Sequence, residues 1–418
     1  MKFVKKAIAL GVAMCLLAGC QSPAKPNGQE QSDSSAASSV SADSEGPKLT
    51  TEALEKMPLT GQGTWVDGED GAKWYKNTGT FYDAFDTMIQ FVAYTKDEKE
   101  FDRYFTLCRT EFERLHKLYD NYKEYDGVTN LMTLNKTAAQ APVAVEDDLF
   151  SMLAFSKENY AKTLGKVNIA MGATLTLWHD TREAAIAEQE EHEHDASHSD
   201  ATSHAPITLP TKAALEASAK HRNINDLVLD PKKKTVYFKD PNLKLDAGAV
   251  AKGYATECIA KKLMEAGFAH GLISAGGNVK VIGTPIDGRA TWNVGIMHPR
   301  SDNQDIIAKA AVKANTSMVT SGDYQRYFEL NGVRYAHIID PQTLYPATAY
   351  SSVTVRTADS GLADILSTAF FIATPQEAQK ILENYKDAGV EVLWVDQNMH
   401  VNVTPGMQAD VTLAQPQQ

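Results

Sequence analysis

The chain has 418 residues, 43% of them hydrophobic and 22% charged, with a formal net charge of −12 at neutral pH. Its length allows a substantial core, in one large domain or two subdomains. The acidic balance argues against nucleic acid as a partner.

Residues 1–19 place Lys2, Lys5 and Lys6 ahead of an apolar run too short to span a bilayer, the layout of a secretory signal. The run ends in Leu17-Ala-Gly-Cys20, small residues before a cysteine, which resembles the bacterial lipobox; Cys20 is therefore expected to be lipidated and to become the first residue. Loss of residues 1–19 removes three lysines and no acid, moving the net charge from −12 to −15. Residues 20–47 are mostly Ser, Ala, Gln, Pro and Asp, bury too little to fold, and are expected to be a disordered tether. Residues 48–418 form the folded part. The expected location is the cell membrane, lipid-anchored on its extracytoplasmic face. Of the cysteines left, Cys108 and Cys258 lie on apolar helix faces, so two buried thiols are expected rather than a disulfide.

Residues 78–94 alternate as one strand, and residues 97–119 carry Phe101, Phe105, Phe112 and Leu115 on one helical stripe. The polar loop at 119–127 is rich in tyrosine and reads first as a surface turn, with stacking of its aromatic rings on a planar group as the alternative. Residues 148–163 read as another helix. Residues 167–178 are small and apolar, with Gly172 marking a close approach. Residues 187–205 form a low-complexity insert with His192, His194, His198 and His204; acid-rich and without hydrophobes, it reads as a solvated loop rather than a fixed metal site.

The centre of the chain is Asp246-Ala-Gly-Ala-Val-Ala-Lys-Gly253. A strand is expected to end at Asp246, and apolar spacing from Val250 predicts a helix of about four turns closed by Gly267. Its N-terminus offers N–H groups and partial positive charge, and Lys252 in the first turn adds a full charge, a design that suits phosphate. Beyond it, residues 271–278 end a strand in small residues and Asn278, and residues 279–283 and 292–297 are expected to continue the sheet. Asn331-Gly332 predicts a two-residue hairpin whose register sets Glu329 opposite Arg334, Arg326 opposite His337, and Asp323 near Asp340. A helix begins near Ala363, where Asp364 and Thr368 share a face with Ser367 beside them; with a backbone carbonyl they make a hard-oxygen set suited to Mg²⁺. Thr374-Pro-Gln-Glu377 is a capping box, and residues 391–395 and 400–403 complete a hairpin.

Five segments, taken in order, resemble motifs of the FAD:protein FMN transferases, the ApbE family: Asp246 to Gly253, Ile273-Ser-Ala-Gly-Gly-Asn278, Thr320-Ser-Gly-Asp-Tyr324, His337-Ile-Ile-Asp-Pro341 and Ala363-Asp-Ile-Leu-Ser-Thr368. The resemblance implies an α/β (α+β), T-fold-like architecture, two subdomains of mixed sheet packed with helices, with FAD as substrate in the cleft between them. It implies Mg²⁺ held by the Ala249 carbonyl, Asp364 and Thr368, with Ser367. It implies FAD contacts by Asp246, Lys252, Asn278, Ile338, Tyr122 and, by likeness of Asn77-Thr-Gly-Thr80 to the family's T-M-G-T, Thr78. Ala249 replaces a usual glycine, and Asn168-Ile-Ala-Met-Gly172 departs from the family's F-D-x-x-x-G.

Transfer of FMN from FAD to an acceptor threonine needs positioning, charge neutralisation and a base. Mg²⁺ and Lys252 supply the first two, and His337, an imidazole that ordinarily titrates near neutrality, is the candidate base. The implied partner is an acceptor flavoprotein of the membrane or cell surface. Two other functions fit the same residues: an Mg²⁺-dependent FAD pyrophosphatase, with water as the nucleophile, and a non-enzymatic flavin-binding lipoprotein.

Overall fold

A computed structural model describes residues 59–195, 207–301 and 305–414. The expected signal and tether, Cys20, His198 and His204 lie outside the described residues. The chain opens with β1 (Leu59–Thr60), β2 (Thr64–Asp67), β3 (Lys73–Phe81) and β4 (Ile89–Thr95), followed by helix α1 (Glu98–Tyr119) and the short α2 (Leu131–Thr137). Then come β5 (Val143–Ala144), α3 (Asp147–Lys162), α4 (Gly172–Asp195), α5 (Lys212–Ser218), β6 (Leu227–Asp230), β7 (Thr235–Phe238) and α6 (Ala251–Glu265). The C-terminal half holds β8 (Gly271–Ala275), β9 (Asn278–Ile282), β10 (Thr291–Met297), β11 (Ile306–Lys313), β12 (Ser317–Gly322), β13 (Tyr327–Leu330) and β14 (Val333–Ala336). It closes with β15 (Tyr350–Thr357), α7 (Ser360–Ile372), α8 (Pro375–Asn384), β16 (Glu391–Asp396), β17 (Val401–Val403) and β18 (Val411–Leu413).

The expected α/β architecture is present. A ten-stranded sheet runs β1-β3-β4-β8-β9-β12-β15-β16-β17, with β2 also on β3. Its ladders are antiparallel rather than mixed. Helices α1, α6 and α7 cover one face, where Phe91, Phe101, Phe112, Ile259, Ile273 and Phe370 are buried in one continuous core. Asp97 caps α1 through the Glu100 N–H, and the capping box at Thr374 and Glu377 starts α8 as its sequence predicts. Cys108 is buried, Cys258 half-buried, and both thiols are free.

Several expectations are corrected. Residues 78–94 form parts of two strands, because residues 82–88 turn out of the sheet with Phe85 and Asp86 at positive φ. The extended chain before Asp246 makes only a single bridge, Lys244 to Met171. Strand β10 does not continue the main sheet; it joins β11 and β18 in a separate three-stranded one. The insert is not loop throughout, since α4 runs unbroken to Asp195. Its Glu, Gln and Ala residues are good helix formers, and extending an existing helix needs no new nucleus.

The Asn331-Gly332 hairpin has the expected register, with Glu329 opposite Arg334 and His337 N–H donating to the Arg326 carbonyl at 3.0 Å. The count fails one step further back. Ser321 and Gly322 belong to β12, so Asp323 turns to Arg300 (2.6 Å) instead of Asp340, whose carboxylate accepts from Gln342 N–H in the turn that follows.

Candidate active site

Helices α6 and α7 meet where the chain has least bulk. A Cβ on Gly253 would lie 2.4 Å from both Asp364 Cβ and the Ser360 carbonyl oxygen, so the glycine is required by helix packing, not by a ligand. Across this contact Gly253 N–H donates to Asp364 Oδ2 at 2.8 Å. In a regular helix that N–H would bond to the carbonyl four residues back, at Ala249. Among the described residues nothing donates to the Ala249 carbonyl, which is therefore available at the helix entrance.

Asp364 is 4% exposed. Burial lifts its pKa, against the Lys252 charge, the Gly253 N–H and the Asn278 amide, which favour the carboxylate. Asn278 is itself buried, beside that carboxyl, yet its Nδ2 completes no hydrogen bond of acceptable geometry among the described residues. The two glycines before it serve the turn: Gly276 and Gly277 both have positive φ, as a two-residue hairpin between β8 and β9 demands.

The hydroxyls on α7 divide their work. Ser367 is fully buried, donates to the Asp364 carbonyl at 2.9 Å and shares a 2.7 Å hydrogen bond with Ser321. Thr368, half-buried, lies 3.3 Å from the same Ser321 hydroxyl. Ser321 sits in the recognised Thr-Ser-Gly-Asp-Tyr segment, but sequence reasoning assigned it no part.

Asp246 and Tyr122, distant in sequence, are brought together. The Tyr122 hydroxyl is 3.4 Å and the Asn121 amide 3.3 Å from Asp246 Oδ2, while Oδ1 accepts from Gly248 N–H at 2.8 Å. Tyr122 remains 51% exposed. Its ring packs against His179 of α4, with centroids 4.5 Å apart and planes at 32°.

His337 faces the same cleft. Its Nδ1 lies 3.0 Å from the Arg326 carbonyl, and a carbonyl only accepts, so Nδ1 bears the proton and Nε2 keeps its lone pair. Solvent reaches the ring, although protein surrounds it on most sides. Burial and the charges of Arg326, Lys252 and Arg182 push its pKa down to about 3, so the expectation of titration near neutrality is corrected for the free protein. The hairpin register sets Arg326 beside His337 already in the sequence, whereas Arg182 is a contribution that sequence reasoning missed. Arg326 donates to the Phe85 and Asp86 carbonyls at 3.2 Å each, so the N-terminal region reaches the cleft through the 82–88 turn.

Two expected contacts lie elsewhere. Thr78 is inside β3, with its N–H on Asn77 Oδ1 and its carbonyl on Gly61 N–H, three strands from Asn278. Ile338 is 5% exposed within the main core, its carbonyl taken by Ala347 N–H. Among the described residues no three His, Cys, Asp or Glu side chains converge as a metal cluster. The oxygen set at the α6/α7 junction has one carboxylate, hydroxyls and a free carbonyl, which fits a hard cation such as Mg²⁺ rather than zinc.

A sequence profile of the ApbE family matches residues 85–394. The chain is 30% identical over 286 residues to an FAD:protein FMN transferase of Treponema pallidum, covering 66% of this chain and 73% of that protein. It is 28% identical over 293 residues to one of Klebsiella pneumoniae, covering 69% and 83%. The solved ApbE protein of Thermotoga maritima superposes with a TM-score of 0.66 at 25% identity, over 81% of this chain and 99% of that one. The flavin transferase ApbE of Vibrio cholerae, at 20% identity and a TM-score of 0.62 over 83% and 99%, shares the fold.

Proposed function

This chain belongs to the ApbE family and is an FAD:protein FMN transferase, and we propose that it moves FMN from FAD to a threonine hydroxyl of an acceptor protein, with Mg²⁺ bound and AMP released. The observation that carries the reading is the α6/α7 junction, where the freed Ala249 carbonyl, Asp364, Thr368 and Lys252 occupy one entrance. Mg²⁺ at that oxygen set would neutralise the diphosphate and polarise the phosphorus under attack. Ser321 holds the Ser367 and Thr368 hydroxyls, and the Asn278 amide has a donor to spare for the carboxylate's ligand or the phosphate.

In the reaction the acceptor threonine oxygen bonds to the FMN phosphorus, the bond from that phosphorus to the bridging oxygen breaks, and AMP departs with that oxygen. His337 Nε2 takes the hydroxyl proton. Its basicity rises when the dianionic diphosphate sits against Arg326, Lys252 and Arg182, because burial and then these three charges hold it down in the free protein, and the diphosphate offsets the charges.

Lipidation at Cys20 would hold the enzyme on the extracytoplasmic face of the membrane, confined with acceptors on that surface. Among the described residues no helix is long and apolar enough to cross a bilayer. Membrane fractionation of wild type and Cys20→Ser tests this: a variant that stays membrane-bound after a salt wash overturns the anchor.

Incubation with FAD and Mg²⁺, with and without an acceptor domain, tests the activity by in-gel flavin fluorescence and AMP release. Covalent flavin with matching AMP is expected. AMP with all FMN left free identifies a pyrophosphatase, and absence of AMP in both arms overturns the reading.

A further inference from the structure

Helix α4 is a fixed wall of the cleft. Gly172 N–H donates to the Lys244 carbonyl at 2.9 Å, and a Cβ there would lie 2.7 Å from that oxygen, so the helix start is seated directly beside Asp246. Trp178 Nε1 donates to the Leu344 carbonyl at 2.9 Å, and its ring stacks on Tyr335 of β14. One residue later and one turn on, His179 and Arg182 project from the same face of this anchored helix. None of the recognised motifs contains them.

We propose that His179 and Arg182 are recognition residues for the dinucleotide: His179 backs the Tyr122 ring so that its free face receives a planar heteroaromatic ring, and Arg182 joins Arg326 as an anion subsite for the adjoining phosphates. The proposal rests on the FAD-binding reading above. A ring centroid distance of 4.5 Å leaves no space between Tyr122 and His179, while Tyr122 is 51% exposed and, among the described residues, has no other aromatic ring against it, so solvent reaches it on the side away from His179. The Tyr122 hydroxyl, 3.4 Å from Asp246, fixes the platform against the segment that leads to Lys252. His179 is fixed in turn: Arg182 Nη2 donates to its Nδ1 at 3.1 Å.

The charge pattern supplies the second half. Arg182, Arg326 and Lys252 all act on the His337 ring. Against them stand Asp364, Asp246, Asp86 and Glu183, but Glu183, paired with Arg182, is 54% exposed, and among the described residues Arg326 hydrogen-bonds to backbone carbonyls only. Among the described residues neither arginine is paired with a buried carboxylate, so both guanidinium charges are stabilised by an incoming anion.

Equilibrium titration of the chain with FAD, FMN, AMP and riboflavin, at fixed Mg²⁺ and without acceptor, tests this through flavin fluorescence and, for AMP, calorimetry. His179→Ala is expected to weaken FAD on the order of tenfold, and His179→Phe to restore it. A parallel loss for FMN and riboflavin assigns the platform to the isoalloxazine; a parallel loss for AMP assigns it to adenine. Arg182→Gln is expected to weaken FAD on the order of tenfold while riboflavin, which has no phosphate, binds as before. Unchanged FAD affinity in both variants overturns the proposal, as does an equal loss for every ligand, which marks a general structural defect. Binding through this wall by a chain that transfers nothing would count against the transferase reading alone.

Discussion

The two walls of the cleft are held by opposite means. At the α6/α7 junction each helix gives a carboxylate to the other's backbone: Gly253 N–H reaches Asp364 at 2.8 Å, and Ser360 N–H reaches Glu257 at 2.9 Å. The pairing of 253 with 364 and 257 with 360 sets the helices antiparallel. Glu257 is also neutralised by buried Lys280 at 3.0 Å, which donates to the Ala358 carbonyl as well. The Glu257 and Lys280 charges behind this wall are matched before any ligand arrives. On the α4 and β13–β14 wall, Arg182 and Arg326 crowd a neutral imidazole, and balance awaits an anion. The first wall is a rigid seat for metal and phosphorus; the second is a charged surface whose energy changes when substrate binds.

The largest expected effect breaks the first wall at its ligand while sparing its packing. Asp364→Asn keeps an acceptor for Gly253 N–H but removes the charge. Mg²⁺-dependent flavin transfer should fall by about 10³-fold, with a thermal midpoint near that of wild type. Retained Mg²⁺-dependent activity would remove Asp364 from the metal site.

Next comes the buried pair behind it. Lys280→Met leaves Glu257 charged and only 7% exposed, with Lys261 at 3.4 Å as its remaining cation. Denaturant unfolding should show a loss of roughly 3 kcal/mol, most of it regained in the Glu257→Gln/Lys280→Met double variant, where neither buried charge remains. A single variant as stable as wild type would mean that the junction does not depend on matched charge.

The second wall is sharpened by pH. His337 has a depressed pKa in the free protein, so its ring should stay neutral from pH 8 down to 5 in an NMR titration, and FAD should move the midpoint upward. The sign for stability follows: the unfolded imidazole takes up a proton below about pH 6.5 while the folded one does not, so acidification below that point costs stability that His337→Asn should retain. In the transfer assay His337→Asn is expected to lose about 10²-fold. A midpoint near 6.5 without FAD would show that neither burial nor the three cations depress this ring.

The walls also differ in how far their sequence reveals them. The junction is built from local signals: Asp364 and Thr368 one turn apart, Lys252 in a first helical turn, glycines at a tight turn. Even there, the helix contact that requires Gly253 does not show, because packing partners are not written in spacing. The other wall depends on where α4 lies. Residues 167–178 are apolar without a clear stripe and the following residues are acidic, so neither the helix nor the placement of His179 against Tyr122 follows from pattern. Register counting places Arg326 opposite His337, since a two-residue turn fixes its own hairpin, and it fails at Asp323, where the strand has already joined another sheet. The pairing of β18 with β11 is likewise remote in sequence, and no local rule announces it.

The smallest effect decides to which wall the hydroxyls belong. Among the described residues Ser321 on β12 makes the one side-chain hydrogen-bond link between the sheet and the α7 pair, 2.7 Å from Ser367 and 3.3 Å from Thr368. Ser321→Ala removes it, yet Ser367 still donates to the Asp364 carbonyl, so the helix keeps its shape and only the aim of Thr368 loosens. One neutral hydrogen bond contributes about 1 kcal/mol, which corresponds to roughly fivefold. That loss should appear as a higher Mg²⁺ concentration for half-maximal transfer, with saturated turnover and FAD affinity close to wild type. If the Mg²⁺ requirement is unchanged and FAD affinity falls instead, Ser321 serves the substrate wall, and the division between a preformed metal seat and a ligand-balanced surface does not run between β12 and α4.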